Sequence, residues 1–240
     1  MGYLNLKKYL FVLVLLLLLI PTHLFAKIKY LNLKKSGRAI VYIPASYYQK
    51  ANRFRRYPLL IALHGLRETS EQSLGRYQKI ANNLNMILVC PRASSYRGGY
   101  TRKPKDDREK ISYLFDYMVR NYRIRKNKSV LVGFSRGGHI AVEIGLMYPA
   151  KFRNVVCMFG FFDKRHERML KNNLRRYKRL YKRSRFYFIT GKGDLSQRAT
   201  NLGYRTMKNR GIKTKLKTYP NLLHGIPRNI GIEIKRFLRI

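Results

Sequence analysis

The sequence predicts an α/β fold with a mostly parallel central sheet, flanked by helices and without a large lid domain. Three observations carry the prediction. Apolar, strand-like runs alternate with helical patterns through residues 27–240. The central runs are almost continuously apolar, as strands covered on both faces must be. No internal repeat and no linker divides this stretch, so it is read as one domain.

In chain order, the runs that read as strands are 39–43, 59–63, 86–90, 130–133, 155–159, 186–190 and 214–218. Helices fit between them. Asp106-x-x-Glu109 resembles a capping box, and Ile111, Leu114, Phe115 and Met118 recur after it at helical spacing. Residues 137–148 read as a helix stopped by Pro149. Residues 166–182 carry Leu170, Leu174, Tyr177 and Tyr181 on one stripe, 195–207 look helical, and 228–238 form a terminal helix.

Composition narrows the class. Hydrophobic residues are 45% of the chain, enough for a sizeable core, and nothing resembles a disordered or collagen-like chain. The charge is extreme: 52 Lys+Arg against 11 Asp+Glu give +41. Charge of this size speaks of solubility, steering and partners rather than fold. The basic residues are spread along the whole chain, not gathered in a tail. The two cysteines, Cys90 and Cys157, sit inside apolar runs and read as small buried hydrophobes rather than a disulfide framework. No cluster has the spacing of a zinc or iron–sulfur site, so neither metal nor cofactor is expected.

The amino terminus reads as an address. Lys7 and Lys8 precede an unbroken apolar run, 10–20, and Pro21 and Leu24-Phe25-Ala26 follow. This matches a signal peptide, residues 1–26, cleaved after Ala26. The run is short for a membrane-spanning helix, which needs about 20 residues. An uncleaved anchor through residues 7–26 is the alternative. The expectation is an exported protein, periplasmic or secreted or membrane-anchored, whose catalytic domain is 27–240.

Gly133-Phe134-Ser135-Arg136-Gly137 matches G-x-S-x-G, and its setting gives the match weight. An apolar strand runs into it and a helix runs out, which is the strand–turn–helix arrangement that exposes a nucleophilic serine. A serine hydroxyl needs a base to take its proton. In the chain order Ser, acid, His, the base is His224, just after the last predicted strand. The acid is Asp194, at the carboxyl end of the strand-like run FYFIT, with Asp163 as its rival one strand earlier. Asp194 would hold the His224 tautomer, although Asp is also a good helix cap. Two backbone N–H groups should form the oxyanion hole, those of Arg136, after the nucleophile, and Leu66, in the loop after an early strand. His64 reads as a hydrogen-bonder that shapes that loop.

With these residues in place, the chain resembles the α/β-hydrolase superfamily. Within it, the chain is similar to the polyhydroxybutyrate depolymerase, feruloyl esterase and esterase-D-like group. The resemblance rests on Pro58-Leu-Leu-Ile-Ala-Leu-His-Gly65, Gly133-Phe-Ser-Arg-Gly-Gly138, Tyr148-Pro-Ala-Lys-Phe152, Gly191-Lys-Gly-Asp194 and His224-Gly-Ile-Pro227. It implies an exported ester hydrolase with an acyl-enzyme on Ser135, Asp194 and His224 as its acid and base, and Leu66 and Arg136 as backbone donors. After His64-Gly65 the chain reads Leu-Arg-Glu-Thr rather than a Gly-rich stretch, and it has no Trp.

The expected partner is a small or polymeric ester substrate. Residues 164–185 hold eleven Lys/Arg and one Glu, and residues 92–105 add Arg92, Arg97, Arg102, Lys103 and Lys105, with Tyr96 and Tyr100 between them. If both segments line the rim of the site, they favour an anionic substrate or an anionic envelope surface. An export signal argues against nucleic acid. A thioesterase, lysophospholipase, acyltransferase or peptidase could share this fold, and a non-catalytic envelope-binding protein is the remaining alternative.

Overall fold

A computed structural model describes residues 25–95, 99–102 and 106–240. Residues 1–24, which hold most of the expected leader, lie outside the described residues, as do 96–98 and 103–105 of the Tyr96–Lys105 loop. Among the described residues no helix is long and apolar enough to cross a membrane.

The strands are β1 (Lys27–Leu33), β2 (Gly37–Ile43), β3 (Leu59–Leu63), β4 (Ile87–Pro91), β5 (Val130–Phe134), β6 (Asn154–Met158), β7 (Arg185–Gly191) and β8 (Lys213–Tyr219). They form one 8-stranded sheet in the order β1-β2-β4-β3-β5-β6-β7-β8. β1 pairs antiparallel with β2, and β2 with β4; every later pairing is parallel. All seven expected strands form. The eighth, β1 (KIKYLNL), was not expected. It is an exposed edge strand whose lysines blunt an otherwise open edge.

The helices are α1 (Ser70–Asn83), α2 (Asp107–Asn121), α3 (Arg136–Met147), α4 (Lys164–Tyr181), α5 (Gln197–Asn209) and α6 (Ile230–Leu238). β3 to β6 are buried at every position. Because side chains alternate across a strand, Leu59, Ile61 and Leu63 pack toward α2, α3 and α4, while Leu60 and Ala62 pack toward α1 and α6. Cys90 and Cys157 are free thiols buried on opposite faces. Burial pushes the Cys157 thiol up to about 12.

One local expectation needs correction. Asp106 does cap α2 through the Arg108 N–H, but no reciprocal bond from Glu109 closes a capping box. The Arg108 guanidinium folds onto the Asp106 carboxylate instead. The stripe on α4 holds, with Leu170 and Tyr181 buried and Leu174 and Tyr177 half-buried against the same core, although the helix kinks at Tyr177 (φ −113°, ψ 19°).

The 11 carboxylates are used with economy. Glu71, Glu109 and Glu167 stand in the first turns of α1, α2 and α4, where they complement the helix dipole. Asp106 and Asp163 cap α2 and α4. Asp107 gathers the Ser94 and Thr101 N–H groups, and Asp116 pairs with Lys151. Glu143, fully buried, holds Arg102 and Arg108; Glu233, almost as buried, holds Lys215, Lys217 and the Tyr187 hydroxyl. Glu68 and Asp194 lie at the site described next.

Candidate active site

The parallel strands β3, β5, β6, β7 and β8 end on one edge, and every candidate residue lies there. β5 delivers Ser135, whose N–H donates to the Met158 carbonyl of β6 at 2.8 Å. Ser135 has φ 52° and ψ −118°, a left-handed conformation that an L-residue keeps only when its surroundings dictate it. The flanking glycines explain how. A Cβ on Gly133 would overlap the Gly137 carbonyl, and one on Gly137 would overlap the carbonyls of Leu63 and His64. The strand end, the start of α3 and the β3 loop therefore touch backbone to backbone around the serine. Ser135 is the N-cap of α3 but makes no side-chain cap bond. Its hydroxyl stands where the N–H groups of the first helical turn favour negative charge.

β7 and β8 deliver the other two residues. Lys192 N–H donates to the Tyr219 carbonyl at 2.8 Å, which ties the Asp194 turn to the start of the His224 loop. A Cβ on Gly191 would overlap the Leu222 carbonyl oxygen, so glycine lets the two loops cross in contact. His224 Nδ1 lies 3.0 Å from Asp194 Oδ2. With the proton on Nδ1, the ring donates to Asp194 and leaves Nε2 as an acceptor. The ring packs on Phe134 and Phe159, with centroids 5.1 and 5.3 Å away. Phe134 is the chain neighbour of Ser135. Phe159, with φ 53°, is held by its N–H on the Ile189 carbonyl at 2.8 Å.

Asp194 accepts more than the histidine. Its Oδ1 takes the Ser196 N–H at 2.8 Å and the Ser196 hydroxyl. Burial pushes its carboxyl up, but the Ser196 bonds and His224 outweigh burial and hold it below the usual range. The N-cap of α5 is Ser196, so Asp194 braces the turn before that helix rather than capping it. The rival Asp163 is a helix cap: it accepts the Arg165 and His166 N–H groups and pairs with His166, away from His224.

The loop after β3 is not Gly-rich, and its side chains and backbone are held by specific contacts. Gly65 N–H donates to Glu68 Oε2 at 2.6 Å, and Arg76 pairs with the same carboxylate at 2.6 Å. Arg67 takes φ 63° to turn the chain. With Gly65 N–H engaged, the next amide, that of Leu66, remains the candidate donor beside Arg136 N–H. His64 is buried; its Nδ1 donates to the Gly65 carbonyl at 2.8 Å and its Nε2 accepts the Ala93 N–H at 3.4 Å. The Tyr100 ring packs against His64 (4.7 Å) and its hydroxyl accepts the His64 backbone N–H, so it secures the loop instead of presenting an aromatic face.

Behind the serine lies a buried polar knot. His139 Nδ1 donates to the Phe161 carbonyl at 2.9 Å and Nε2 faces Arg102 at 2.8 Å. Burial lowers His139 to about 4, with His166 adding repulsion. His139, Glu143 and His166 bring ligand-type atoms within 4.8 Å of one another. Arg102, Arg108 and the Phe161 carbonyl already engage two of them, and Asp163 engages the third. Arg102 thus turns inward and is no rim cation. The basic helix α4 starts after the carboxyl end of β6 and runs back to the start of β7, so only its first turn reaches the site edge.

Glu68, Phe134 and Phe159 escape the sequence reading. Only Glu68 carries a signal: in a chain with 11 acids, one three residues after a strand-end His-Gly stands out.

The comparisons agree with this architecture. The Esterase family model matches residues 32–196, a span that includes Ser135 and Asp194 and ends before His224. A curated relative, the bifunctional acetylxylan esterase/xylanase XynS20E of Neocallimastix patriciarum, is 28% identical over 118 residues, 45% of this chain. The chain spans only 18% of that relative's length. Among solved structures, a ferulic acid esterase superposes with TM-score 0.68 at 19% identity, covering 84% of this chain and 92% of that one. FphF of Staphylococcus aureus, a fluorophosphonate-binding serine hydrolase, gives 0.71 at 16% identity, with 89% and 99% covered. The S-formylglutathione hydrolase FrmB of Staphylococcus aureus gives 0.65 at 16% identity, with 89% and 98% covered. At these identities the likeness is one of fold, the α/β-hydrolase fold.

Proposed function

We propose that this chain, which belongs to the esterase family, is a carboxylic-ester hydrolase, an exported serine esterase acting through an acyl-enzyme on Ser135. The observation that carries the reading is a strained, half-buried Ser135 (φ 52°) whose chain neighbour Phe134 packs against His224, a histidine held at 3.0 Å by a carboxylate.

In the proposed mechanism, His224 Nε2 takes the Ser135 hydroxyl proton as Oγ attacks the ester carbonyl. The Leu66 and Arg136 N–H groups stabilise the oxyanion, and the α3 dipole adds to them. The C–O bond to the alcohol breaks as His224 returns the proton to the leaving oxygen. Water, deprotonated by the same Nε2, then attacks the acyl carbonyl and frees the acid and the serine. Asp194 keeps the imidazole in the Nδ1–H tautomer and stabilises the imidazolium. Residues 1–26 are proposed to direct export or to anchor the protein.

The test is active-site labelling of residues 27–240 with a fluorophosphonate probe, followed by mapping of the modified residue. Modification of Ser135 that vanishes in His224→Ala is the expected result. A folded protein that is not labelled would sink the mechanism and favour a binding role. A panel of matched ester, thioester and amide substrates separates esterase from thioesterase and peptidase.

A further inference from the structure

An ester hydrolase must seat the groups on both sides of the scissile bond, and the structure offers a large cavity next to His224. A cavity of about 760 Å³ opens beside His224 and Phe134 and runs between α1 and α6. Its floor is apolar, built from Ile80 of α1, Pro227 and Ile230. Its rim is cationic, with Lys79 on α1, Arg228 in the loop and Lys235 on α6, all exposed.

These three cations have no carboxylate to answer them. Among the described residues none of them forms an ion pair. The acid of this wall, Glu68, is occupied by Arg76 and the Gly65 N–H. Past Lys235 the groove continues into a second cavity of about 550 Å³ that adds Arg55, Arg56 and Arg125, with no Asp or Glu side chain in its lining. A concave surface lined mainly by one sign of charge raises the local concentration of the opposite charge, and Glu68, the acidic side chain of this lining, is paired with Arg76.

We propose that the α1–α6 groove binds an anionic group carried by the ester substrate, a carboxylate or a phosphate, joined to the scissile bond by an apolar segment. The proposal rests on the reading of Ser135 and His224 as the reacting pair. It uses a different surface from the rim segments expected from sequence: Arg102 is bound inward, α4 packs on the opposite face of the sheet, and Arg97, Lys103 and Lys105 lie outside the described residues.

The experiment measures kcat/KM for matched substrate pairs. On the acyl side, the p-nitrophenyl ester of suberic acid with a free ω-carboxylate is compared with its neutral ω-carboxamide. On the alcohol side, the acetate ester of an ω-hydroxy acid is compared with that of its amide. An ω-phosphate analogue of each separates phosphate from carboxylate. The expected result is a preference of about tenfold for the anionic member of at least one pair at low salt, about 1.4 kcal/mol, falling toward one as salt screens it. The ratio should collapse to near one in Lys79→Ala/Lys235→Ala. It should persist in Lys171→Ala/Arg175→Ala, which removes the same charge from exposed positions on α4.

Equal rates for both members of both pairs would overturn the proposal, as would a ratio that survives in Lys79→Ala/Lys235→Ala. A ratio that falls equally in the α4 variant would also overturn it, because net charge and not the groove would then be responsible. Hydrolysis of the neutral esters by the wild type, and its loss in Ser135→Ala, report on the esterase reading independently.

Discussion

Replacing Gly191 by alanine tests whether the site is assembled by backbone contact between two loops. A Cβ at Gly191 would meet the Leu222 carbonyl oxygen well inside the 3.0 Å that real Cβ contacts respect. The obstacle is backbone, not the end of a flexible side chain, so the His224 loop or the end of β7 must retreat by about 2 Å to reach ordinary contact. Leu222 lies two residues before His224, whose bond to Asp194 is 3.0 Å long. The same retreat stretches that bond beyond hydrogen-bonding reach. Misplacement of a reacting group by about 1 Å costs on the order of 10²-fold in rate, whereas overpacking costs about 1–3 kcal/mol in stability. Gly191→Ala should therefore remain folded, with kcat lowered about 10²-fold, KM less affected and fluorophosphonate labelling slowed in step. Gly225→Ala is the control in the same loop, because a Cβ there meets nothing nearer than 3.5 Å. Wild-type kcat in Gly191→Ala, or an equal loss in Gly225→Ala, would refute the loop-crossing argument.

Four further expectations follow from the same contacts. Asp194→Asn should lower kcat by about 10⁴-fold with little change in melting temperature, because the imidazole loses its tautomer partner. Asp163→Ala should do the reverse, removing about 1 kcal/mol of α4 capping while leaving turnover within a few-fold; activity loss in Asp163→Ala with none in Asp194→Asn would exchange their roles. Acid should unfold the protein in two stages that denaturant titration across pH can resolve. His139, lowered from 6.5 to about 4, keeps its contribution above pH 6.5 and loses it as pH falls to about 4; the shift corresponds to about 3 kcal/mol. Glu233, which burial pushes up but Lys217, Tyr187 and Lys215 pull down to about 2, keeps its contribution above about pH 4.5 and loses it as pH falls toward 2. Glu233→Gln should remove the second stage and cost about 1–3 kcal/mol at neutral pH, less than a fully buried pair would, because Lys215 and Lys217 are 50% and 34% exposed.

What the sequence made legible follows from which interactions are local. The central strands announce themselves because burial on both faces forces continuous apolar runs. The serine turn is legible because its glycines are dictated by contacts within a few residues of Ser135, and those with Leu63 and His64 lie one strand away. β1 is missed because an edge strand facing water has no burial pattern to display. α1 is missed because SEQSLGRYQKIANN buries only Ser70, Ser73, Tyr77 and Ala81, too sparse a stripe to read. Asp163 and Asp194 look alike in sequence, each an acid after a strand. Only the register of β6, β7 and β8 decides which one faces His224. Arg102 shows the limit most plainly, since its partner Glu143 lies 41 positions away and nothing local marks the pair.

The scarcity of carboxylates has a consequence for how this protein tolerates change. Each of the eleven has a place in the fold: a helix start, a cap, a buried pair or the candidate site. The lysines and arginines outnumber these places several times over. Mutational robustness should therefore be lopsided. Random loss of a positive charge will usually fall on a side chain with no counterpart and pass unnoticed, whereas random loss of a negative one will almost always strike a junction between segments. A deep substitution scan read out by abundance would show a chain in which basic positions drift freely and acidic ones scarcely move.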